Sequence, residues 1–261
     1  MANTFHMRAL DGSIVRFEYH ESCESVQQIA RARAVAGFPD RYVVFSEKQT
    51  KYNALGEPIK NGEFERGVYM SCILRPSMFP SQVSFFAAMS TVALISVLEE
   101  HTTKPLGIGW VSNVYCEGDK IGGVTVEGRL DSFNSYEYII VSFLVALDES
   151  SFPPRLSDLV KKVFESENAS VSAIIAKDIL SKFLSLYPKV KSPDKFMDLY
   201  KQKFILAGVK ARYTEAGKRK RCKILSVDSK DCTLIVETRG GEIKHIFTNK
   251  NVTIPTKIKL K

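Results

Sequence analysis

The chain has 261 residues, of which 44% are hydrophobic and 25% are charged, which is an ordinary globular composition for one large domain and one small one. A net charge of +8 and a pI of about 9.1 favour anionic partners, which include phosphates, an acidic acceptor protein and nucleic acid. The five cysteines are scattered, with no CxxC pair and no histidine at metal-ligand spacing, so we expect reduced thiols and no protein-bound metal.

The first hundred residues alternate between strand and helix patterns. Strands are predicted at 13–20, 41–46 and 67–74, helices at 26–35 and 80–100, and a long polar loop at 48–66. The apolar run at 83–98 is interrupted by serine and threonine and falls short of the ~20 residues that a membrane span needs. It therefore predicts a buried core helix and no membrane contact. The N-terminal segment lacks the pattern of a signal peptide, so we expect a cytoplasmic protein.

The rest of the chain predicts a sheet, further helices and then a small β unit. Strand patterns at 107–111, 114–116, 120–129 and 136–147 are separated by turn residues, as in antiparallel hairpins. Helices are predicted at 156–164, 171–187 and 194–206, and short strands at 209–213, 221–227, 233–238 and 242–247. We predict an α/β fold of the α+β type, with a mixed, mostly antiparallel central sheet flanked by helices. A domain of residues 1–207 is followed by a β-barrel of residues 208–261.

A lysine followed by two glycines is the most informative local pattern. In Lys120-Ile-Gly-Gly123, the glycines allow the backbone to approach a ligand closely, beside a cation that suits a phosphate or carboxylate. Taken alone, such a turn is more often a hairpin with a solvated lysine. Together with Trp110 and Asn113-Val-Tyr115, however, the run from Lys120 to Glu127 resembles the signature of the biotin protein ligase family.

Other segments are similar to that family in the same order. They are residues 17–24, 45–50, 67–71 and 234–244, the last resembling the final hairpin of an SH3-like C-terminal barrel. The resemblance implies a ligase that converts biotin and MgATP to biotinyl-5′-AMP and then biotinylates a lysine of a carrier domain, a carboxylase subunit. The sequence lacks the N-terminal helix-turn-helix of ligases that double as repressors, so no nucleic-acid partner is predicted. The oligomeric state and the choice between biotin and lipoate or octanoate stay open.

The resemblance also implies residue roles. Lys120 would be the catalytic cation between the biotin carboxylate and the α-phosphate, two anions that repel each other. The biotin-binding candidates are Ser22, Cys23, Gln49, Lys120, Gly122 and Gly123, and the nucleotide-binding candidates are Trp110, Asn113 and Lys120. Asn113 stands where the family has an aspartate close to the metal, so no metal ligand is predicted in this chain and Mg²⁺ would enter only with ATP.

The sequence departs from the family on the nucleotide side. The family's Gly- and Arg-rich loop is replaced after Thr50 by residues 51–57, which contain no arginine. One hypothesis is that Lys48, Lys51, Lys60 or Arg66 supplies the missing charge. The alternative is a catalytically impaired ligase-like protein that binds biotin, lipoate or a protein partner.

The basic run at 218–223 allows two interpretations. Five of its six residues are lysine or arginine, which would suit nucleic acid. It has no interleaved aromatic residues for base stacking, so a solvated hairpin is the preferred interpretation.

Overall fold

The computed structural model describes residues 3–8, 12, 14–52, 65–78, 80, 83–146, 171–248, 251–254 and 258. The strands are β1 (Asn3–Arg8), β2 (Ile14–His20), β3 (Tyr42–Gln49), β4 (Glu65–Leu74), β5 (Leu106–Gly109), β6 (Asn113–Cys116), β7 (Asp119–Leu130), β8 (Tyr136–Ala146), β9 (Lys210–Glu215), β10 (Lys218–Val227), β11 (Leu234–Thr238), β12 (Ile243–Ile246) and β13 (Val252–Thr253). The helices are α1 (Val26–Val35), α2 (Val83–His101), α3 (Val171–Leu186) and α4 (Asp194–Gln202). The predicted helix at 156–164 and most of the predicted loop at 48–66 lie outside the described residues.

The larger sheet has eight strands in the order β1-β2-β3-β4-β8-β7-β6-β5. Only β2 and β3 pair in parallel, and every other neighbouring pair is antiparallel. The parallel pair follows from the chain order, because α1 lies between the two strands and brings the chain back to the same end of the sheet. The prediction of a mixed, mostly antiparallel central sheet flanked by helices is confirmed. The N-terminal strand β1 was not predicted.

One face of this sheet is covered by α2, whose residues are apolar on all sides. Twelve of its residues are buried, from Phe85 to Leu98, between the sheet and helices α3 and α4. By length and composition alone α2 is a candidate membrane span, and it is the only such helix among the described residues. The structure instead buries it as the core helix that the interrupted apolar run predicts.

The other face is covered by α1. Ser25 caps this helix by accepting a hydrogen bond from the backbone N–H of Gln28 at 3.4 Å. Val26, Ala30 and Ala34 pack against β3, β4 and β8. The exposed side of the helix reaches β7 through a bidentate pair between Arg31 and Glu127. The start of α1 is therefore fixed over the centre of the sheet.

The smaller sheet has five strands in the order β12-β11-β10-β9-β13. It confirms a C-terminal β region, whereas the SH3-like classification and the domain boundary at 207 stay predictions. Lys218–Val227 is one continuous strand, so the strand predicted at 221–227 begins three residues earlier and includes the whole basic run at 218–223. The turn lies before it, at Ala216 and Gly217, which both have positive φ.

The two sheets share a continuous hydrophobic core, which extends from Val15 through α2 to Ile246. Beside the edge strand β5, the N–H of Ile108 donates to Lys203 O at 2.8 Å, and the N–H of Ile205 donates to Ile108 O at 3.1 Å. Beyond the smaller sheet, the N–H of Ile258 donates to Gly118 O at 3.1 Å. The chain therefore contacts the larger sheet both before and after it forms the smaller one.

A buried carboxylate joins β2 to α1. Glu18 is 2% exposed and accepts two hydrogen bonds from Arg33 at 2.8 Å and one from Tyr42 at 2.8 Å, and His20 Nε2 lies 2.9 Å from its Oε1. Burial by itself raises the pKa of Glu18, but the hydrogen bonds from Arg33, Tyr42 and His20 outweigh it and lower the pKa to about 2.

We expect this carboxylate to make the free energy of unfolding depend on pH in the acidic range. Its contribution is fully present above the ordinary glutamate pKa of 4.5 and is lost as the pH falls towards the folded-state value of about 2. Glu18→Gln should therefore lower the free energy of unfolding by roughly 3 kcal/mol at pH 7 and by little near pH 2. Urea unfolding between pH 2 and pH 7 measures this difference in the free energy of unfolding. Glu21→Gln, at an exposed position, is the control. A constant difference at all pH values would contradict the prediction.

Candidate functional site

The candidate residues predicted from the sequence gather at one end of the larger sheet. Strand register places them there, because Cys23 pairs with Gln49 just beyond β2, and Gly122 pairs with Val145 close to the end of β8. On the far side of β7, Gly123 lies opposite Asn113, the first residue of β6. Segments that are up to a hundred residues apart in the sequence therefore contribute to one edge of the fold.

Gln49 connects three segments at this edge. Its side chain is 1% exposed, its Oε1 accepts a hydrogen bond from the backbone N–H of Val26 at 3.1 Å, and its Nε2 donates to Tyr52 O at 2.5 Å. The amide thus holds the start of α1 against the end of β3 and fixes the chain that follows. These two contacts use one of the two N–H donors and one of the two lone pairs of the amide.

Cys23 and Ser22 lie beside Gln49 on the same edge. The backbone N–H of Cys23 donates to Lys48 O at 3.2 Å, and its carbonyl accepts from the N–H of Thr50 at 3.0 Å. Cys23 is a half-buried free thiol, and Ser22 is exposed. Burial raises the pKa of the Cys23 thiol, and a hydrogen bond with Ser46 offsets this only in part. A protonated thiol suits the wall of a pocket better than it suits a nucleophile.

Ser46 was not among the predicted site residues. It is fully buried, and its hydroxyl donates to Lys48 O at 2.8 Å. The only sequence signal for it is its position two residues after Val44, which places it on the α1 side of β3.

Lys120 lies at the start of β7, directly after a tight hairpin. Glu117 and Gly118 form the turn, with φ values of 52° and 93°, and Lys120 is paired with Tyr115 beside a register shift. The lysine is half-buried and precedes the part of β7 that pairs with β8. The strand order and register therefore place Lys120 at the same end of the sheet as Gln49.

The hairpin that carries Lys120 is held from two sides. On one side, Lys104 forms an ion pair with Glu117 at 2.7 Å. On the other, Gly118 accepts the hydrogen bond from Ile258 and packs so closely that a Cβ on Gly118 would lie 2.1 Å from the Ile258 carbonyl oxygen.

Gly122 and Gly123 have a structural requirement of their own. A Cβ on Gly122 would lie 2.1 Å from Leu144 O, and a Cβ on Gly123 would lie 2.3 Å from Ser112 O. Both obstacles are backbone atoms of neighbouring strands, which cannot move away as a flexible side chain can. The two glycines are thus needed for strand packing, and a backbone contact with ligand stays a prediction.

Trp110 is buried at the junction of the two sheets. It is 2% exposed, and its Nε1 donates to Cys232 O at 2.8 Å. The next residue is held as well, because the hydroxyl of Tyr200 donates to Val111 O at 2.8 Å. Asn113 is half-buried, and its Nδ2 donates to Trp110 O at 3.4 Å. A direct contact of Trp110 or Asn113 with nucleotide stays a prediction.

The lysines proposed to replace the missing arginine loop lie close to acidic residues. Lys48 Nζ is 4.0 Å from a carboxylate oxygen of Glu21, and Lys51 Nζ is 3.7 Å from one of Glu24. Lys60 and the side chain of Arg66 lie outside the described residues. Which cation accompanies Lys120 therefore stays a hypothesis.

Within the described ranges, no group of three or more His, Cys, Asp or Glu side chains is arranged to hold a metal ion.

Comparison with known proteins places this geometry in context. No known family model matches the sequence. The chain is 24% identical over 154 residues to the bifunctional ligase/repressor BirA of Bacillus subtilis, in a match that covers 59% of this chain and 47% of BirA. The chain thus spans about half the length of the curated relatives that it matches.

Solved structures match over nearly the whole chain. The biotin protein ligase from Aquifex aeolicus in complex with biotin and ATP has a TM-score of 0.64 at 17% identity, covering 92% of this chain and 99% of the ligase. A biotin protein ligase-like protein of unknown function from Silicibacter has a TM-score of 0.60 at 13% identity, covering 89% and 94% of the two chains. The fold is therefore the one that biotin protein ligases have, and the predicted resemblance is confirmed.

The hydrogen bond from Val26 to Gln49 gives a first test of this edge. Gln49→Ala should lower the free energy of unfolding by about 1–3 kcal/mol, because it leaves a buried backbone N–H without an acceptor. Chemical denaturation measures this, with Gln28→Ala as control, since Gln28 is exposed on α1, the helix that begins at Val26. Equal effects of the two substitutions would show that the Gln49 amide is not a structural contact.

The packing of β7 gives a second test. Gly122→Ala should lower the free energy of unfolding by about 1–3 kcal/mol, because the added methyl group meets the backbone of β8. Gly128→Ala on the same strand is the control, since its added methyl group would meet mainly the ring of Tyr136, a side chain that can turn aside. Thermal unfolding of both variants measures the difference, and a Gly122→Ala protein as stable as the control would contradict the close approach.

Proposed function

We propose that this chain, a divergent relative of the biotin protein ligases, is itself a biotin–protein ligase. It would use ATP to convert biotin to biotinyl-5′-AMP, with release of pyrophosphate, and then transfer biotin to a lysine of a carrier domain. The carrier would be the biotin-accepting subunit of a carboxylase in the cytoplasm. The shared fold and the similarity to BirA support this proposal.

The observation that carries the proposal is the convergence of the candidate residues at one end of the strands of the larger sheet. The ends of β2 and β3, the start of β7 and the start of β6 bring Cys23, Gln49, Gly122 and Asn113 to that edge, with Lys120 on the adjoining hairpin. A polar amide, a neutral thiol and a cation at one edge suit a ligand that has an uncharged polar ring and a carboxylate, as biotin has.

In the first step, a carboxylate oxygen of biotin attacks the α-phosphorus of ATP. An O–P bond forms, the bond from that phosphorus to the bridging oxygen of pyrophosphate breaks, and the bonding pair leaves with pyrophosphate. Both reactants are anions, so a fixed cation between them lowers the barrier by stabilising the charge that accumulates in the transition state. We assign this role to the Lys120 ammonium group, which the hairpin holds in position.

In the second step, the neutral amine of the acceptor lysine attacks the acyl carbon of the adenylate. A C–N bond forms, the C–O bond to AMP breaks, and the amine loses a proton. Ser22, Cys23 and Gln49 are assigned to the biotin ring, and Gly122 and Gly123 to backbone contacts with the ligand. Trp110 and Asn113 are assigned to the nucleotide side, and Mg²⁺ to the ATP phosphates.

The assignment of Lys120 is tested by Lys120→Ala. Adenylation, measured as biotin-dependent pyrophosphate release, should fall by about 10²-fold or more, because the lost interaction acts mainly on the transition state. Biotin affinity, measured by calorimetry, should fall much less. Transfer of biotin to a purified carrier domain should be lost together with adenylation.

The control is Lys177→Ala, which removes the same charge from an exposed position on α3. Its activity should match that of the wild type. Unchanged adenylation in Lys120→Ala would overturn the role of this lysine. A wild type that binds biotin or lipoate but releases no pyrophosphate would favour the ligand-binding alternative over the ligase.

A further inference from the structure

A concave basic surface lies on the smaller sheet. It encloses a cavity of about 600 Å³, and the charged side chains that line it are Lys210, Arg212, Arg221, Lys223, Glu237 and Arg239. We call this surface the basic cleft. None of the residues assigned above to biotin or nucleotide belongs to its lining.

Strand register brings the cations of the basic cleft together. Arg212 on β9 lies directly opposite Arg221 on β10, and Lys210 lies directly opposite Lys223. Directly paired residues of antiparallel strands project from the same face, where like charges repel and destabilise the sheet. Arg239 extends the row, because it follows Thr238, the partner of Cys222 on β11.

The cations on the two faces of this sheet differ in their partners. On the opposite face of β10, Lys220 Nζ lies 2.6 Å from a carboxylate oxygen of Glu215, and Lys244 binds the other oxygen. On the cleft face, Lys210, Arg212, Arg221, Lys223 and Arg239 are exposed and form no salt bridge within the part of the chain that the structure describes. Glu237 on β11 lies directly opposite Lys223 and offsets part of the repulsion, whereas the residue directly opposite Arg221 on β9 is another cation, Arg212.

The shape and chemistry of the basic cleft define the ligand that fits it. A volume of about 600 Å³ lies within the range of small-molecule sites. Three arginines in a row present planar donor forks, which match phosphate oxygens in bidentate geometry better than lysines do. Among the residues that the structure describes, no aromatic side chain is part of the lining, so these residues offer no surface on which a nucleic-acid base could stack.

We propose that the basic cleft is a binding site for a small anion with several phosphate groups, held by Arg212, Arg221 and Arg239 in a row with Lys210 and Lys223 beside them. Such an anion would neutralise the like charges that the register of β9 and β10 forces together. An oligophosphate and the phosphate chain of a nucleotide share this chemistry. The inference is independent of the proposed ligase activity, because its test measures binding alone.

The test is calorimetric titration of the full chain with inorganic tripolyphosphate and, in parallel, with ATP, both without magnesium. The triple variant Arg212→Gln, Arg221→Gln, Arg239→Gln should bind tripolyphosphate at least about tenfold more weakly than the wild type, since each substitution removes a charge-assisted hydrogen-bond donor. Amide chemical-shift changes should map to residues 210–223. If the triple variant loses ATP binding at these amides as strongly as it loses tripolyphosphate binding, a nucleotide is a ligand of the same cleft. If its ATP binding is unchanged, the ligand is a free oligophosphate.

The control triple variant is Lys201→Gln, Lys218→Gln, Lys230→Gln, which removes the same total charge from exposed positions outside the lining. It should bind tripolyphosphate as the wild type does. Equal weakening by both triple variants would overturn the proposal in favour of a diffuse charge effect. Tighter binding of a single-stranded RNA than of tripolyphosphate would also overturn it.

The melting temperature provides a second readout. Without phosphate and at low salt, the arginine triple variant should melt at the same temperature as the wild type or higher, because the substitutions relieve cross-strand repulsion. A lower melting temperature would show that the arginines stabilise the sheet, and would overturn their assignment to a ligand.

Discussion

The burial of α2 on all sides is the constraint on which the rest of the fold depends. A helix with no polar face has to be covered completely, so one side packs on the larger sheet and the other on α3 and α4. Of the described helices, α1 covers the opposite face of the sheet. The start of α1 is then free to approach the end of β3, where Gln49 binds the N–H of Val26.

The described part of the candidate site is consequently built on strands and a tight turn. Lys120 follows a two-residue turn, and Gly122 and Gly123 pack against the backbone of adjacent strands. Close backbone packing restricts the strand that carries Lys120 to fewer positions than a loop would sample. A cation that is fixed in advance stabilises a developing charge without reorganisation during the reaction.

The sequence predicted most of the elements because their signals are local. The alternation around Val43 and Val44 and the cap at Ser25 depend only on near neighbours. The contact of Trp110 with Cys232 spans 122 residues, and no local pattern encodes it. The row of arginines in the basic cleft was also missed, because it arises from the register between β9 and β10. The strand residues at 218–221 are exposed, so their hydrophobic pattern does not specify that register.

The bond between Ile258 and Gly118 has a consequence for how the smaller sheet can move. This sheet contacts the larger one before β9, through Ile108 and its neighbours, again at Trp110, and once more beyond β13. A unit attached at three separate points cannot swing about a single hinge, because rotation around one attachment breaks the other two. The two sheets therefore behave as one mechanical body, and the hairpin of Lys120 is part of the surface that joins them.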